Sequence, residues 1–362
     1  MSSFTDREPA LTAHPGISAP PVERVLFALT SAERDQIFPS FDFDSRFPAA
    51  APCQCVDPEV LLSSFHNDWP RFLQQVRPTI LVSCWSTPPL PPSLLSDDSF
   101  PLRYVCHTTG SVKRVVPRTF VAQGGRVTNW GNLISHTVAE HALLLILASL
   151  RNLSCWHPIS QPSLNGYWGN GFKLRTQSLR GRRVGIHGFG NVARDLIRLL
   201  APFEVTCMAY SENVSSQHMA EYGALPCDNL DTLFKRNDIL VECEALTRET
   251  TGIVTERHFQ LMEQDAVFVN IARGPIVDEQ ALAKLAAQGR IRVASDVFHN
   301  EPLPADSPLR HIDNLIISPH IGGPTSDWYP RCGDFALANI GRYLAGEPLE
   351  GVVTPEIYDR ST

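Results

Sequence analysis

A glycine-rich turn in the second half of the chain has the spacing of a nucleotide-binding turn. Gly188 and Gly190 occupy the first two positions of the pattern G-x-G-x-x-G/A, and Ala193 occupies the third. The first glycine permits a tight turn, the second lets the main chain approach a pyrophosphate, and the third small residue lets a helix pack on a strand. The helix that begins with Asn191 and Val192 would offer main-chain N–H groups to the phosphates. A turn without a ligand is the alternative, which the recognisable strand and helix around it disfavour.

The residues that follow the next predicted strand bear on the choice between NAD and NADP. A dinucleotide-binding turn is normally followed, about 20 residues on, by an acidic residue that binds the ribose. Ser211 stands where an aspartate is expected, and Glu212 comes one residue later. No Arg or Lys lies between Ser211 and Met219 to bind a 2′-phosphate. The sequence therefore predicts NAD as the cofactor, slightly favoured over NADP.

Strands and helices alternate around the turn, which predicts an α/β fold with a doubly wound parallel sheet of Rossmann type. Strands are predicted over Val25–Leu29, Thr79–Ser83, Leu102–His107, Arg183–Gly188, Val205–Tyr210, Ile239–Cys243, Ala266–Ile271, Ile291–Val297 and Leu315–Ser318. Helices are predicted over Asn191–Leu200, Leu230–Lys235, Glu256–Met262 and Glu279–Gln288, and a long helix, buried on several sides, begins at Ile134.

The composition favours a globular protein of two domains. The 362 residues, 43% of them hydrophobic, are too many for one simple core. A net charge of −7 argues against nucleic acid as a partner. The longest largely apolar run, Ala142–Leu150, is much shorter than the ~20 residues of a membrane span. Nine dispersed cysteines, including the chance C-x-C of Cys53 and Cys55, and a polar N-terminal segment without a secretory signal predict reduced thiols and a cytoplasmic location.

Three later segments, taken with the glycine turn, resemble the D-isomer-specific 2-hydroxyacid dehydrogenases. Their order and spacing fit that family, and the resemblance covers roughly Leu102 to Asn339. The three segments are N-I-A-R-G-P-I-V-D-E from Asn270, D-V-F-H-N-E-P from Asp296 and S-P-H-I-G-G from Ser318. Val138–His141 and Leu179–Gly181 also look similar to this family.

The resemblance implies that Arg273, Glu301 and His320 act together on a 2-keto acid. The planar guanidinium of Arg273 would bind the substrate and polarise its ketone as charge develops. His320 would protonate the nascent alkoxide, or remove the hydroxyl proton in the oxidation direction. Glu301 would hold the other ring nitrogen of His320 and favour the protonated ring. Each residue alone is more often structural, but together in these segments they indicate a site for hydride transfer.

The resemblance also implies further contacts with the cofactor and the substrate. On the cofactor side, Asp296 would hold the nicotinamide carboxamide. The other implied cofactor residues are Thr251, Ile271, Ala272 and Gly322. The segment Thr108–Val112 follows a strand, and the main-chain N–H groups of Gly110, Ser111 and Val112 would bind the substrate carboxylate together with Arg273.

The implied architecture has two domains with the active site in the cleft between them. Residues 127–322 would form the NAD(P)-binding domain, and residues 23–126 with 323–362 a flavodoxin-like substrate domain, after a mobile tail of residues 1–22. The helix from Ile134 and the loop that carries Trp156 and Trp168 would form a homodimer interface. No metal is predicted, because a dimer helix accounts for His136, Glu140 and His141.

The sequence departs from the family at the loop on the adenine side, and it leaves two rival functions open. Cys243–Thr247 replaces the usual H-x-P-L-T, so the loop lacks a proline that would stiffen it. A nucleotide-sensing co-regulator of the same fold is one rival to an oxidoreductase. A formate dehydrogenase is the other, although that family uses Gln where this chain has Glu301. The side chain of the substrate is not identified.

Overall fold

Two parallel β-sheets, each flanked by helices, form the protein. The computed structural model describes residues 23–43, 51–64, 68–156, 174–312 and 315–360. The predicted tail of residues 1–22 and the predicted interface residue Trp168 lie outside these ranges. The first sheet contains β1 (Val25–Ala28), β2 (Cys53–Val56), β3 (Ile80–Ser83), β4 (Tyr104–His107) and β5 (Arg126–Thr128). Its order, β2-β1-β3-β4-β5, is that of flavodoxin-like proteins.

The second sheet has the Rossmann order with one strand added at an edge. It contains β6 (Arg183–His187), β7 (Thr206–Tyr210), β8 (Leu225–Pro226), β9 (Ile239–Glu242), β10 (Val267–Asn270), β11 (Arg292–Ser295) and β12 (Leu315–Ile317). The order is β12-β11-β10-β9-β6-β7-β8, so the winding direction reverses between β6 and β9. Ligands of such sheets bind outside the carboxyl ends of the strands at that switch point. The predicted fold class is confirmed.

The helices cover both faces of the two sheets. They are α1 (Ser31–Ile37), α2 (Pro58–Ser64), α3 (Trp69–Val76), α4 (Pro92–Leu95), α5 (Arg118–Ala122), α6 (Ser135–Arg151), α7 (Asn191–Leu200), α8 (Ser216–Glu221), α9 (Leu230–Arg236), α10 (Glu256–Leu261), α11 (Glu279–Ala287), α12 (Tyr329–Ala345) and α13 (Pro355–Arg360). Apolar side chains pack on both faces of each sheet, as parallel sheets require. Within the described residues, no helix combines the length and apolarity that crossing a membrane demands.

The predicted strands of the second sheet lie within one or two residues of the observed ones, but β2, β5 and β8 are missing from the prediction. All three are edge strands. An edge strand is covered less completely, so its sequence is not a continuous apolar run.

Residues 126 to 128 pair with β4, and the predicted domain boundary between 126 and 127 therefore falls inside a strand of the first sheet. The division into two domains stays a prediction, and the strand pairing favours a boundary after Thr128.

The long helix α6 is buried on several sides, as predicted. It packs against α7 and the strands β10 and β11, and Ala139, Ala142 and Ile146 are fully buried. Leu144, however, is 55% exposed. One apolar side chain of this helix therefore faces solvent.

Candidate active site

Glu301 and His320 form a hydrogen-bonded pair. The Nδ1 atom of His320 lies 2.6 Å from the Oε2 atom of Glu301. The other carboxylate oxygen of Glu301 accepts the main-chain N–H of Phe298 at 2.9 Å. The side chains of His320 and Glu301 are 44% and 34% exposed. The pair is thus open to solvent, and the carboxylate can hold the imidazole while the ring exchanges a proton.

Asp296 holds the turn on which His320 lies. Its Oδ1 atom accepts the hydroxyl of Ser318 at 2.6 Å and the N–H of Ile321 at 2.9 Å, and its Oδ2 atom accepts the N–H of Gly322 at 2.8 Å. His320 has a φ of +53°, a left-handed conformation that is uncommon for a residue other than glycine. Its N–H donates to the carbonyl of Asp296 at 2.9 Å. These bonds fix the main chain that aims the imidazole.

His141 reaches the same turn from α6. Its Nε2 atom lies 2.9 Å from the Oγ atom of Ser318 and 3.4 Å from the Oδ1 atom of Asp296. Burial raises the pKa of Asp296, but hydrogen bonds from His141, Ser318 and the main chain outweigh it, so the pKa lies below its usual value. Sequence analysis treated His141 as part of a dimer helix and missed this contact. The cofactor roles predicted for Asp296 and Gly322 stay predictions.

Arg273 lies in a turn that the side chain of Asn270 stabilises. At the end of β10, the side-chain Oδ1 atom of Asn270 accepts the N–H of Ala272 at 3.1 Å, and its Nδ2 atom donates to the carbonyl of Arg273 at 3.3 Å. The guanidinium donates to the carbonyl of Ala272 at 2.6 Å. Burial lowers the pKa of Arg273, and the charge of Glu301 acts against that effect. A guanidinium remains charged under these conditions, so Arg273 places a positive charge near Glu301.

The turn that carries Arg273 packs directly on the loop that carries Glu301. Gly274 faces the main chain of Phe298, the residue whose N–H bonds to Glu301. The neighbouring Ile271 and Ala272 are almost fully buried, and their predicted cofactor roles stay predictions. The structure therefore brings the three predicted catalytic residues to one end of the second sheet, after β10, β11 and β12.

The glycine turn after β6 has the geometry that its sequence predicts. Gly188 has a φ of +90°, and a Cβ atom there would lie 2.5 Å from the main-chain nitrogen of Glu244. At Gly190, a Cβ atom would have no neighbour within 4 Å, which leaves open space before the first turn of α7. The side chain of Asn191 accepts a hydrogen bond from Arg194, and Val192 packs on the core. These residues fit the pyrophosphate of NAD, which the turn and the N-terminus of α7 would hold.

Ser211 lies beside a carboxylate that sequence analysis did not select. Its hydroxyl donates to the Oε2 atom of Glu244 at 2.9 Å, and Glu244 follows β9. Glu212 is exposed. The hydroxyl of Thr251 donates to the carbonyl of Thr247 at 2.6 Å within its own loop. The cofactor roles predicted for Ser211, Glu212 and Thr251 stay predictions.

A buried histidine ends β4, directly before the predicted carboxylate-binding loop Thr108–Val112. His107 lies between two hydroxyls, with Nδ1 2.9 Å from Oγ of Ser83 and Nε2 2.6 Å from Oγ1 of Thr109. Burial lowers its pKa to about 4. In a neutral imidazole one ring nitrogen donates and the other accepts, so the two hydroxyls satisfy both nitrogens. His107 therefore fixes the beginning of this loop.

The rest of the loop offers main chain rather than side chains. A Cβ atom at Gly110 would lie 2.8 Å from the ring of Trp130, and the side chain of Val112 is buried in the core. Ser111 is partly exposed. The half-exposed Trp85 packs edge-on against Trp130, with ring centroids 6.4 Å apart. Gly110 thus lies against an aromatic wall of Trp130 and Trp85, and the binding of a substrate carboxylate by Gly110, Ser111 and Val112 stays a prediction. In the part of the chain that the structure describes, no group of His, Cys, Asp and Glu could hold a metal ion.

Comparison with known proteins identifies the family. The family model described as D-isomer specific 2-hydroxyacid dehydrogenase, NAD binding domain, matches residues 143–322. The glyoxylate reductase of Thermofilum pendens is 31% identical over 239 residues, which cover 65% of this chain and 70% of that protein. The chain belongs to the D-isomer-specific 2-hydroxyacid dehydrogenases. The predicted family, the class of NAD(P)-dependent oxidoreductases and the binding of NAD(H) are confirmed.

A longer relative and a solved structure are also similar to this chain. The D-3-phosphoglycerate dehydrogenase of Methanocaldococcus jannaschii is 32% identical over 229 residues, which cover 63% of this chain and 43% of that protein. The apo structure of Rhodotorula graminis D-mandelate dehydrogenase superposes with a TM-score of 0.77, covering 92% of this chain and 98% of that one. Because the two sequences are only 19% identical, this similarity shows the fold alone.

Proposed function

We propose that this dehydrogenase reduces a small 2-keto acid to the D-2-hydroxy acid, with Arg273, Glu301 and His320 as its catalytic residues. The observation that carries the proposal is the 2.6 Å contact between His320 and Glu301, on a loop that packs against the turn of Arg273. NADH, when bound, supplies the hydride. The similarity to glyoxylate reductases agrees with a small keto acid as substrate.

Each residue has a role that follows from its chemistry. Arg273 binds the substrate and stabilises negative charge on the carbonyl oxygen as it forms. His320 donates a proton to that oxygen from Nε2, because Glu301 occupies Nδ1. Glu301 holds the Nδ1 side of the ring and so orients the Nε2 atom toward the substrate. The N–H groups of residues 110–112 bind the substrate carboxylate.

We assign the catalytic cleft to the space between two domains. Residues 129–322 form the cofactor domain in this proposal, and residues 23–128 with 323–360 form the substrate domain. The chain crosses back beside the first turn of α6, where the hydroxyl of Thr137 donates to the carbonyl of Gly323 at 2.8 Å and His136 contacts Trp328. Closure of such a cleft excludes water from the hydride.

A panel of keto acids tests the proposed reaction. Glyoxylate, hydroxypyruvate and pyruvate are supplied with NADH and with NADPH, and oxidation of the cofactor is followed at steady state. We expect sustained turnover of at least one acid. Cofactor binding without turnover would favour the nucleotide-sensing co-regulator. Oxidation of formate with NAD⁺, without reduction of any keto acid, would favour the formate dehydrogenase.

We also propose that two copies associate through α6. Leu144 is 55% exposed on an otherwise largely buried helix, and Trp156 beyond its end is 40% exposed. Large apolar side chains exposed along one segment are typical of an interface. The mass measured by light scattering should be that of a dimer, and Leu144→Glu should shift it toward the monomer. A parent that is monomeric at micromolar concentration would contradict this assignment. A cytoplasmic location stays a prediction.

A further inference from the structure

We propose that Glu244 is the carboxylate that binds the adenosine ribose of the cofactor and selects NADH over NADPH. The residue after β7, where this carboxylate is expected, is Ser211. The inference rests on the proposed function, because it concerns the cofactor of that reaction. It assigns the selection to a loop two strands later in the chain, after β9.

Glu244 lies at the switch point of the second sheet. The strands β6 and β9 are neighbours, and the loops that follow them diverge there to form the crevice in which such sheets bind ligands. A Cβ atom at Gly188 would come within 2.5 Å of the main-chain nitrogen of Glu244. The two residues therefore line the same crevice, one on each side of the point where the winding reverses.

The carboxylate of Glu244 is held in one orientation. Its Oε2 atom accepts the hydroxyl of Ser211 at 2.9 Å, and its Oε1 atom accepts the main-chain N–H of Ala245 at 2.9 Å. Each oxygen of a carboxylate can accept about two hydrogen bonds. Glu244 is partly exposed, so both oxygens retain a lone pair for a ligand. Ser211 acts here as a positioning residue for the carboxylate.

A buried hydrogen-bonded pair supports the main chain of Glu244. The Nδ1 atom of His187 lies 2.7 Å from the Oε2 atom of Glu242, and their side chains are 4% and 0% exposed. The other oxygen of Glu242 accepts the N–H of Glu244 at 2.8 Å. Because His187 ends β6 and Glu242 ends β9, the pair joins the two strands that form the crevice.

The arrangement matches a ribose diol and opposes a 2′-phosphate. An oriented carboxylate can accept hydrogen bonds from the 2′- and 3′-hydroxyls of NADH. A phosphate at the 2′ position would bring a second negative charge to the same place, and like charges at short distance lower affinity strongly. Glu244 therefore supplies both the attraction and the repulsion on which selection depends.

Direct binding measurements test the assignment on the full chain. Dissociation constants are measured by calorimetry for NADH and NADPH, and for the fragments ADP-ribose and 2′-phospho-ADP-ribose, which confine the comparison to the adenosine side. We expect the parent to bind NADH more tightly than NADPH. Glu244→Gln should lose about tenfold in affinity for NADH, because a hydrogen bond to a charged group is weakened, and should gain affinity for NADPH. Ser211→Ala should shift both affinities in the same directions, but less.

Substitutions at two further glutamates test whether Glu244 alone determines the preference between the two cofactors. Glu249→Gln removes an exposed charge from the same loop and should change neither affinity by more than about threefold. Glu212→Gln removes the carboxylate next to Ser211. The proposal is overturned if Glu212→Gln abolishes the preference and Glu244→Gln does not, if neither variant changes it, or if the parent prefers NADPH. A parent that binds neither dinucleotide would instead contradict the proposed function as well.

Discussion

The main chain of Phe298 occupies the space that a side chain at Gly274 would need. A Cβ atom at Gly274 would lie 1.9 Å from the carbonyl carbon of Phe298 and 2.4 Å from the nitrogen of His299. Real Cβ atoms do not approach a main chain so closely. The turn that carries Arg273 and the loop that carries Glu301 can therefore meet only at a glycine.

Gly274→Ala should move Arg273 relative to Glu301 in the proposed catalytic site. The added methyl group must displace main chain, so we expect the free energy of unfolding to fall by about 1–3 kcal/mol. The specificity constant kcat/KM should fall further than stability alone explains, since Arg273 moves relative to Glu301. Urea denaturation and steady-state kinetics measure the two effects. Gly341→Ala is the control, because a Cβ atom there meets no neighbour within 4 Å. Equal changes in stability and kcat/KM for the two variants would show that the contact between Gly274 and Phe298 does not position Arg273.

His320→Ala should abolish most of the turnover while the cofactor still binds. The substitution removes the proton donor, and general acid–base catalysis contributes roughly 10²–10⁴ in rate. Turnover of an accepted keto acid and the dissociation constant of NADH are compared with the parent. His311→Ala, at an exposed histidine, should retain full activity. Reduction by the His320 variant at nearly the parent's rate would exclude His320 as the acid.

Arg273→Lys should be damaging although the charge is retained. An ammonium group cannot make the two parallel hydrogen bonds of a guanidinium. We expect the loss in transition-state stabilisation to be about 3 kcal/mol, as for one lost oxyanion donor. The ratio of kcat/KM values gives this loss directly. Arg236→Lys, at an exposed arginine of α9, is the control. A change below about threefold at Arg273, less than 1 kcal/mol, would make that residue structural.

His107 should make the protein sensitive to acid between its unfolded and folded pKa values. Burial lowers this pKa from 6.5 to about 4, so the unfolded chain binds the proton first as the pH falls. The stability contributed by the neutral ring is complete above 6.5 and is lost toward about 4. Between about pH 7 and about pH 4.5 the loss from this group is about 2 kcal/mol.

The variant His107→Gln lacks this titration and should lose correspondingly less stability on acidification. Urea denaturation at both pH values measures the difference, with His311→Gln as the control at an exposed histidine. An identical pH dependence in the parent and the His107 variant would show that the folded-state pKa is not lowered.

The elements around the glycine turn could be predicted because their signals are local. Gly188, Gly190 and the apolar residues on either side lie within one strand, turn and helix. The capping box of α1, in which Thr30 and Glu33 exchange hydrogen bonds, was equally local and readable, yet sequence analysis overlooked it. The edge strands carry a weaker signal, since their residues are only partly covered.

The contacts that shape the site are not visible in the sequence because they join distant residues. His141 meets Ser318 across 177 positions, and Ser211 meets Glu244 across 33. Family resemblance pointed to Arg273, Glu301 and His320, whose segments are distinctive. It gave no signal for Glu244, which lies where this chain departs from the family, in Cys243–Thr247. Only the fold places its carboxylate beside Ser211.

The position of His141 on α6 has a consequence for activity in dilute solution. His141 holds the turn of His320 through Ser318, and the exposed Leu144 lies three residues further along the same helix, about one turn away. In the proposed dimer, the helix that supports the turn of His320, the proposed proton donor, is also the helix that the second copy contacts. Specific activity should therefore fall on dilution below the dimer dissociation constant, and the rate per subunit should become a measure of subunit association.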